Sequence, residues 1–280
     1  MGKILVTTDE LAGHLDDPGW VVFDTRHDLM DHAKGRRAYG AGHIPGAYFL
    51  DTETDLAGAK SGKNGRHPLP DSDAFAATMN ECGVAPGVQV VAYDDSGGCF
   101  AVRLWWMLRW MGHEDVAVLD GGYPLWVKEG RPASTAEPAP RRGNFVPRPH
   151  LGDTVDVHFV DRFREGPSVK LIDARNAERF AGINETIDPV AGHVPGAVNR
   201  FWQKNLGPDG RFKAPGQLRT EFLDLLGSNS PGEAVHMCGS GVTSCHNMFA
   251  MELAGLPAGR LYPGSWSEWC ADPSRPIATR

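Results

Sequence analysis

No run in this chain approaches the roughly 18 consecutive apolar residues that a membrane-spanning helix requires, so no membrane partner is expected. A basic run is missing too. The 28 Lys and Arg stand against 35 Asp and Glu, for a net charge of −7, and that balance disfavours nucleic acid as a partner. The N-terminal "MGKILVTTDELAGHLDD" turns acidic too soon for a secretory signal. Cysteine is sparse, odd in number and irregular in spacing: Cys82, Cys99, Cys238, Cys245 and Cys270. That usage argues against a disulfide framework and for a reducing, cytoplasmic setting. A 41% hydrophobic fraction with 22% charged residues is that of a soluble globular protein, and 280 residues suffice for two ordinary domains.

What the chain does have is a repeat of itself. "AGHIPGA" at Ala41–Ala47 returns as "AGHVPGA" at Ala191–Ala197, and "VVFDTR" upstream of the first answers "KLIDAR" upstream of the second. Further on, "VQVVAYDDSGG" and "EAVHMCGSGV" each precede an apolar helical run, and "LDGGYPLW" answers "YPGSWSEW". Four matches in one order, at a nearly constant offset, mark a tandem duplication of a unit of about 120 to 140 residues, far longer than a solenoid repeat. Between the copies, "RPASTAEPAPRRGNFVPRPH" carries five prolines and no apolar periodicity, the pattern of an extended linker. The expected organisation is therefore 1–130, a linker over 131–150, and 151–280.

Within each copy, short β-rich runs alternate with helical ones. "WVVFD", "QVVAYD" and "VAVLD" read as buried strands, with "KLID", "AVHMC" and "GRLYP" as their counterparts. "CFAVRLWWMLRWMGH" and "SCHNMFAMELAGL" read as helices ending near Gly112 and Gly255. The fold class predicted is α/β, each copy a parallel sheet flanked by helices. Functional residues in such folds sit in loops at the carboxyl ends of strands, and Cys238 falls there.

The loop "CGSGVTS" after that strand suits a reactive sulfur. Gly239 and Gly241 let the backbone curl with its amides inward. Ser240, Thr243 and Ser244 add hydroxyls, and the helix behind begins with free N–H groups. Such a loop is an anion cradle, able to hold a thiolate or the outer sulfur of a persulfide. A cysteine phosphatase would need arginine six residues after the cysteine, where this chain has Ser244. Zinc held by His236, Cys238, Cys245 and His246 lacks a C-x-x-C pair, and Cys245 reads as a helix residue facing the sheet rather than a redox partner. By the strand match, Asp94 stands in the first copy where Cys238 stands in the second. One copy is expected to do chemistry and the other to lack the nucleophile.

Taken together, the tandem units, the paired "DTR"/"DAR" and "GHIPGA"/"GHVPGA" motifs and the "CGSGVT" loop resemble the two-domain rhodanese-type sulfurtransferases. The loop resembles that of members acting on 3-mercaptopyruvate. The resemblance implies tandem rhodanese-like domains and ping-pong transfer of sulfur. A small-molecule donor, 3-mercaptopyruvate or else thiosulfate, would load Cys238 as a persulfide, and a thiol, thioredoxin or cyanide would take the sulfur, with no cofactor or metal. It also implies a proton relay of Ser240, His67 from "HPLP" and Glu53 from "YFLDTE". The loop residues Gly239, Gly241, Val242 and Thr243 would line the substrate, and Arg179 would grip its carboxylate. The family's second arginine falls in "NETIDPV", which has none, leaving Arg66 or Arg200 to replace it. Asp24, Arg26, His43 and their partners Asp173, Arg175, His193 recur in both copies and so read as scaffold, as do Trp126 and Trp269. A persulfide carrier serving a dedicated partner is the reading from another class.

Overall fold

The computed structural model describes residues 3–280 and divides into two compact units. Unit 1 runs to Gly58, resumes over Pro70–His150 and includes Pro208–Arg211; unit 2 comprises Ala59–Leu69, Leu151–Gly207 and Phe212–Arg280. The short stretch 59–69 is thus counted with the second unit, far from it in sequence.

Unit 1 holds strands β1 (Leu5–Val6), β2 (Trp20–Asp24), β3 (Tyr48–Phe49), β4 (Gln89–Tyr93) and β5 (Val116–Leu119) with helices α1 (Thr8–Ala12), α2 (Lys34–Ala41), α3 (Ser72–Glu81), α4 (Ala101–Trp110) and α5 (Gly122–Lys128). Its sheet has the order β1-β5-β4-β2-β3, every pair parallel. Unit 2 holds β6 (Lys170–Asp173), β7 (Val198–Asn199), β8 (Ala234–Met237) and β9 (Arg260–Leu261), with α6 (Val157–Phe163), α7 (Ala177–Phe180), α8 (Pro215–Leu226), α9 (Ser244–Leu253) and α10 (Ser265–Trp269). Its sheet runs β7-β6-β8-β9, again parallel throughout. The predicted α/β class with two parallel sheets holds. The longer predicted strands lie where their β-branched runs are, because a parallel sheet covered on both faces needs continuous apolar stretches. β1, β3 and β7, two residues each, carry no such signal.

The two sheets share their register. Asp24 pairs with Tyr93 and Asp173 with Met237, so the next residues, Asp94 and Cys238, occupy equivalent places. The backbone around them repeats as well: Tyr123 N–H donates to Asp94 O at 2.9 Å, and Trp266 N–H to Cys238 O at 3.0 Å. A first-strand equivalent survives in unit 2 as a single parallel bridge, Thr154 to Leu261.

Each core forms where sheet side chains meet helices. In unit 1, Val22, Val91, Ala117 and Leu119 pack with Trp126 and Leu11; in unit 2, Leu171, Val235 and Met237 pack with Trp266 and Trp269. Ile172 and Ala234, on the opposite face, meet Leu218 and Phe222 of α8 and Ala250 and Met251 of α9. The recurring tryptophans are packing residues: Trp126 Nε1 donates to Pro132 O and Trp269 Nε1 to Pro276 O. The recurring histidines hold their turns, His43 stacked on Tyr39 and His193 on Phe180.

The proline-rich stretch 131–150 is extended but tied to unit 1. Ser134 bridges to His43, the Arg141 guanidinium donates to Trp20 O at 3.0 Å, and Phe145 exchanges hydrogen bonds with the Asn80 side chain. Prolines lack the N–H that a ladder needs, so the residues between them do the anchoring, by backbone bonds such as Gly143 N–H to Asn80 O at 2.7 Å and Arg148 N–H to Met111 O at 2.8 Å as well as by side chains. No helix among the described residues is long and apolar enough to cross a membrane.

Candidate active site

Cys238 follows β8 directly, and the loop 238–243 carries the chain into α9. The thiol is 1% exposed. Gly241, at φ +78°, turns its amide onto the sulfur, with N to Sγ 3.1 Å. Burial pushes the Cys238 thiol up. The Thr243 hydroxyl, the amides of Ser240 and Ser244 and the Ser244 hydroxyl act against it, and the balance holds the thiol below its ordinary value. Ser244 Oγ is buried with no hydrogen bond of ordinary geometry, so its contribution is the field of its dipole. The start of α9 adds the positive end of its peptide dipoles. By contrast, burial pushes Cys82 up to about 12 and Cys270 up to about 11. None of the five cysteines is joined in a disulfide.

Gly241 is not exchangeable for alanine. Beyond the left-handed φ, a Cβ there would stand 2.5 Å from Pro263 O, and strain of that kind costs about 1–3 kcal/mol. Relief requires the loop to shift and carry its amide off the sulfur. Gly241→Ala is expected to move the pH dependence of Cys238 alkylation by iodoacetamide to higher pH; an unchanged profile would show that this amide does not stabilise the thiolate.

The equivalent loop of unit 1 shows what such a cradle holds. The Asp94 carboxylate accepts hydrogen bonds from the amides of Ser96, Gly98 and Phe100 at 2.8 Å each and from Ala101 at 3.0 Å. The carboxylate at the strand end is thus wrapped by four backbone N–H groups, while burial prevails over them and pushes its pKa above the ordinary value.

Of the side chains singled out in sequence, Ser240 and His67 come together. His67 is fully buried, and its Nδ1 lies 2.7 Å from Ser240 Oγ. The segment carrying it sits on the start of α10: Arg66 N–H donates to Ser267 Oγ at 2.9 Å, and a Cβ on Gly65 would meet Gly264 O at 2.7 Å. Arg66 and Arg179 converge on Gly239, where a Cβ would stand 2.9 Å from Arg66 Nη2 and 3.5 Å from Arg179 Nη2. Glycine therefore leaves two guanidinium groups at the rim of the loop. Glu53 belongs to unit 1, with Oε1 3.7 Å from His27 Nε2 and 3.8 Å from His32 Nε2. Arg200 is engaged elsewhere, donating to Asn205 and Glu221 and lying over the Phe222 ring. Val242 is buried and Thr243 partly exposed in the loop itself. Among the described residues, His236, Cys238, Cys245 and His246 do not gather as a metal site.

Two contributors escaped sequence reading, the carboxylate pair of Asp188 and Glu185 and one serine. Asp188 lies in "NETIDPV" and bridges the arginines, 2.5 Å from Arg66 Nη1 and 2.8 Å from Arg179 Nη2. Glu185 accepts from Arg179 Nε at 3.0 Å and lies 3.5 Å from Arg175 Nη1, while Arg175 pairs with Asp173 at 2.7 Å. Three guanidinium groups thus face three carboxylates. Burial pushes Glu185 up, but Arg179 and the amides of Asp188 and Ile187 prevail and hold it below its ordinary value. The other is Ser265, at φ +53°, whose Oγ accepts from Cys238 N–H at 3.2 Å and donates to Tyr262 O at 2.9 Å. Its only sequence signal is that it answers Gly122, which has φ +54°.

Comparison with known proteins agrees with this geometry. The model of the rhodanese-like domain matches twice, over residues 7–129 and 157–272. The chain is 46% identical over 277 residues to a probable 3-mercaptopyruvate sulfurtransferase of Pseudomonas aeruginosa, covering 98% of each. It is 38% identical over 279 residues to a putative thiosulfate sulfurtransferase, SseB, of Mycobacterium tuberculosis, covering 99% of this chain and 97% of the relative. Among solved structures, 3-mercaptopyruvate sulfurtransferase from Leishmania major superposes with a TM-score of 0.85 at 30% identity, over 96% of this chain and 74% of that one. With both halves matched by the domain model and close relatives covered end to end, the chain belongs to the rhodanese family and is a two-domain sulfurtransferase.

Proposed function

We propose that this sulfurtransferase takes its sulfur from 3-mercaptopyruvate, carries it as a persulfide on Cys238, and passes it to a thiol. The Cys238 thiolate attacks the donor sulfur. The S–S bond forms as the C–S bond breaks, and the electron pair goes to carbon as the enolate of pyruvate. The proton of the donor thiol is handed to that carbon through Ser240 and His67, leaving Cys–S–S⁻ and pyruvate. An acceptor thiol then attacks the outer sulfur, keeps it as a persulfide, and frees the Cys238 thiolate.

The observation that carries this reading is the Ser240–His67 hydrogen bond of 2.7 Å in the loop whose Gly241 amide donates to the Cys238 sulfur. A hydroxyl next to an imidazole suits a donor whose departing carbanion needs a proton, whereas sulfite leaving from thiosulfate needs none. Charge supports the same choice. With three carboxylates against three guanidinium groups, the rim suits a monoanion at Arg66 and Arg179 better than a dianion. The cradle around Asp94 supports the persulfide, because the equivalent amides of unit 2 suit an anionic outer sulfur.

Steady-state assays with both donors test this. Mercaptopyruvate is expected to give the higher kcat/KM. Arg66→Gln and Arg179→Gln should each raise its KM by roughly tenfold or more, the worth of a charge-assisted contact of about 1.5–3 kcal/mol, with a smaller change in kcat. Higher kcat/KM with thiosulfate would favour the activity for which the mycobacterial relative is named.

A further inference from the structure

His27 and His32, in unit 1, have no part in the repeat and none in sulfur transfer as described. The His27 side chain is only 1% exposed and packs edge-on against Phe100, ring centroids 5.1 Å apart. Its Nε2 makes no hydrogen bond. Buried polar atoms are ordinarily paired, so an orphan calls for a reason. This nitrogen faces Glu53, whose Oε1 lies 3.7 Å away, too far for a hydrogen bond. The same oxygen lies 3.8 Å from His32 Nε2, and the three donor atoms lie within 4.8 Å of one another.

We infer that His27 Nε2, His32 Nε2 and Glu53 Oε1 form a binding site for a divalent transition-metal cation of the zinc class. Two imidazoles and one carboxylate are a donor set suited to zinc, cobalt or nickel and not to the all-oxygen preference of calcium or magnesium. Bonds of about 2.0–2.2 Å place neighbouring ligand atoms of a tetrahedron about 3.3 Å apart. The 3.7 and 3.8 Å edges to Glu53 need therefore contract by only a few tenths of an ångström, and the edge between the two imidazoles, within 4.8 Å, by up to about 1.5 Å. His32, with its side chain 56% exposed, has room to supply that movement and opens the site to solvent. The Glu53 backbone is anchored by its own amide, which donates to Asp51 Oδ1 at 2.7 Å. Asp28 and Asp51 lie close enough to act on the His27 ring, adding a field that favours a cation. Water would complete the coordination shell. This site does not depend on which sulfur donor the enzyme uses.

The test is calorimetric and optical titration of the full chain with Co²⁺ and Zn²⁺, in a Cys238→Ser background so that the loop thiol does not compete. One equivalent of Co²⁺ is expected to bind, with visible d–d bands of a nitrogen and oxygen shell and no sulfur charge-transfer band. His32→Ala and His27→Gln should each weaken binding by roughly tenfold or more, with circular dichroism reporting the fold. His32 is exposed enough that its loss leaves the core untouched, so His32→Ala decides the matter if His27→Gln misfolds. Absence of saturable binding, a sulfur band, or unchanged affinity in His32→Ala overturns the inference.

Discussion

Cys238→Ser is expected to abolish sulfur transfer from any donor, lowering kcat by a factor of roughly a thousand or more, while the protein still folds. Serine fits the site, so its failure would be chemical: a hydroxyl does not ionise near neutral pH, and the loop would cradle an anion that does not form. In the native chain, a donor supplied without acceptor should leave the protein heavier by one sulfur atom, and a thiol should remove it. The mutant should gain nothing. The rate of that loading step should rise with pH and level off below the pH expected of an ordinary cysteine, because the loop's hydroxyls and amides lower the thiol's pKa in spite of its burial. If the mutant still turned over, a different thiol would carry the sulfur, and Cys245, whose Sγ donates to Gly241 O at 3.4 Å, would be the first to replace.

The second large effect is on stability and compares the two copies. Asp24 is wholly buried and binds Arg26 through Nε and Nη2 at 2.6 to 3.0 Å, and it also accepts from Tyr93 Oη at 2.8 Å. Asp173 binds Arg175 in the same way, at 2.7 to 3.1 Å. Removing one member of such a pair leaves a buried charge uncompensated, a loss of about 3–5 kcal/mol. Asp24→Ala is expected to reach that range, since the Tyr93 hydroxyl also loses its acceptor. Asp173→Ala should cost less, because Glu185 remains 3.5 Å from Arg175 Nη1. Urea unfolding followed by tryptophan fluorescence measures both, with separate transitions assigned to the two units if they unfold apart. Equal losses would mean that Glu185 does not offset the charge of Arg175.

That comparison was foreshadowed by the repeat, because a pair present in the copy without a cysteine is structural. The sequence carried everything that depends on neighbours along the chain. β-Branched runs marked the longer strands, the duplication marked two α/β units, and the glycine and hydroxyl loop behind one strand singled out Cys238, the thiol proposed to carry sulfur. These features are local: backbone conformation and amide direction follow from a few adjacent residues. The two-residue strands β1, β3 and β7 escaped because so short a segment has no periodicity to detect, whereas β9, equally short, was read from "GRLYP" through its place in the repeat.

The company that Cys238 keeps was decided by the tertiary structure. Ser240 and His67 are 173 positions apart, and the His67 segment, numbered within the first copy, packs as part of the second unit. Arg66 and Arg200 were equal candidates for the missing arginine on paper. The fold sends Arg200 to Glu221 and the Phe222 ring and brings Arg66 beside Arg179 at Gly239. Asp188, in the stretch where the family's second arginine falls, bridges that pair instead. Spacing along the chain fixes which side chains share a loop. Which distant charges meet is settled only when burial forces each guanidinium to find a carboxylate, and that outcome belongs to the packed molecule.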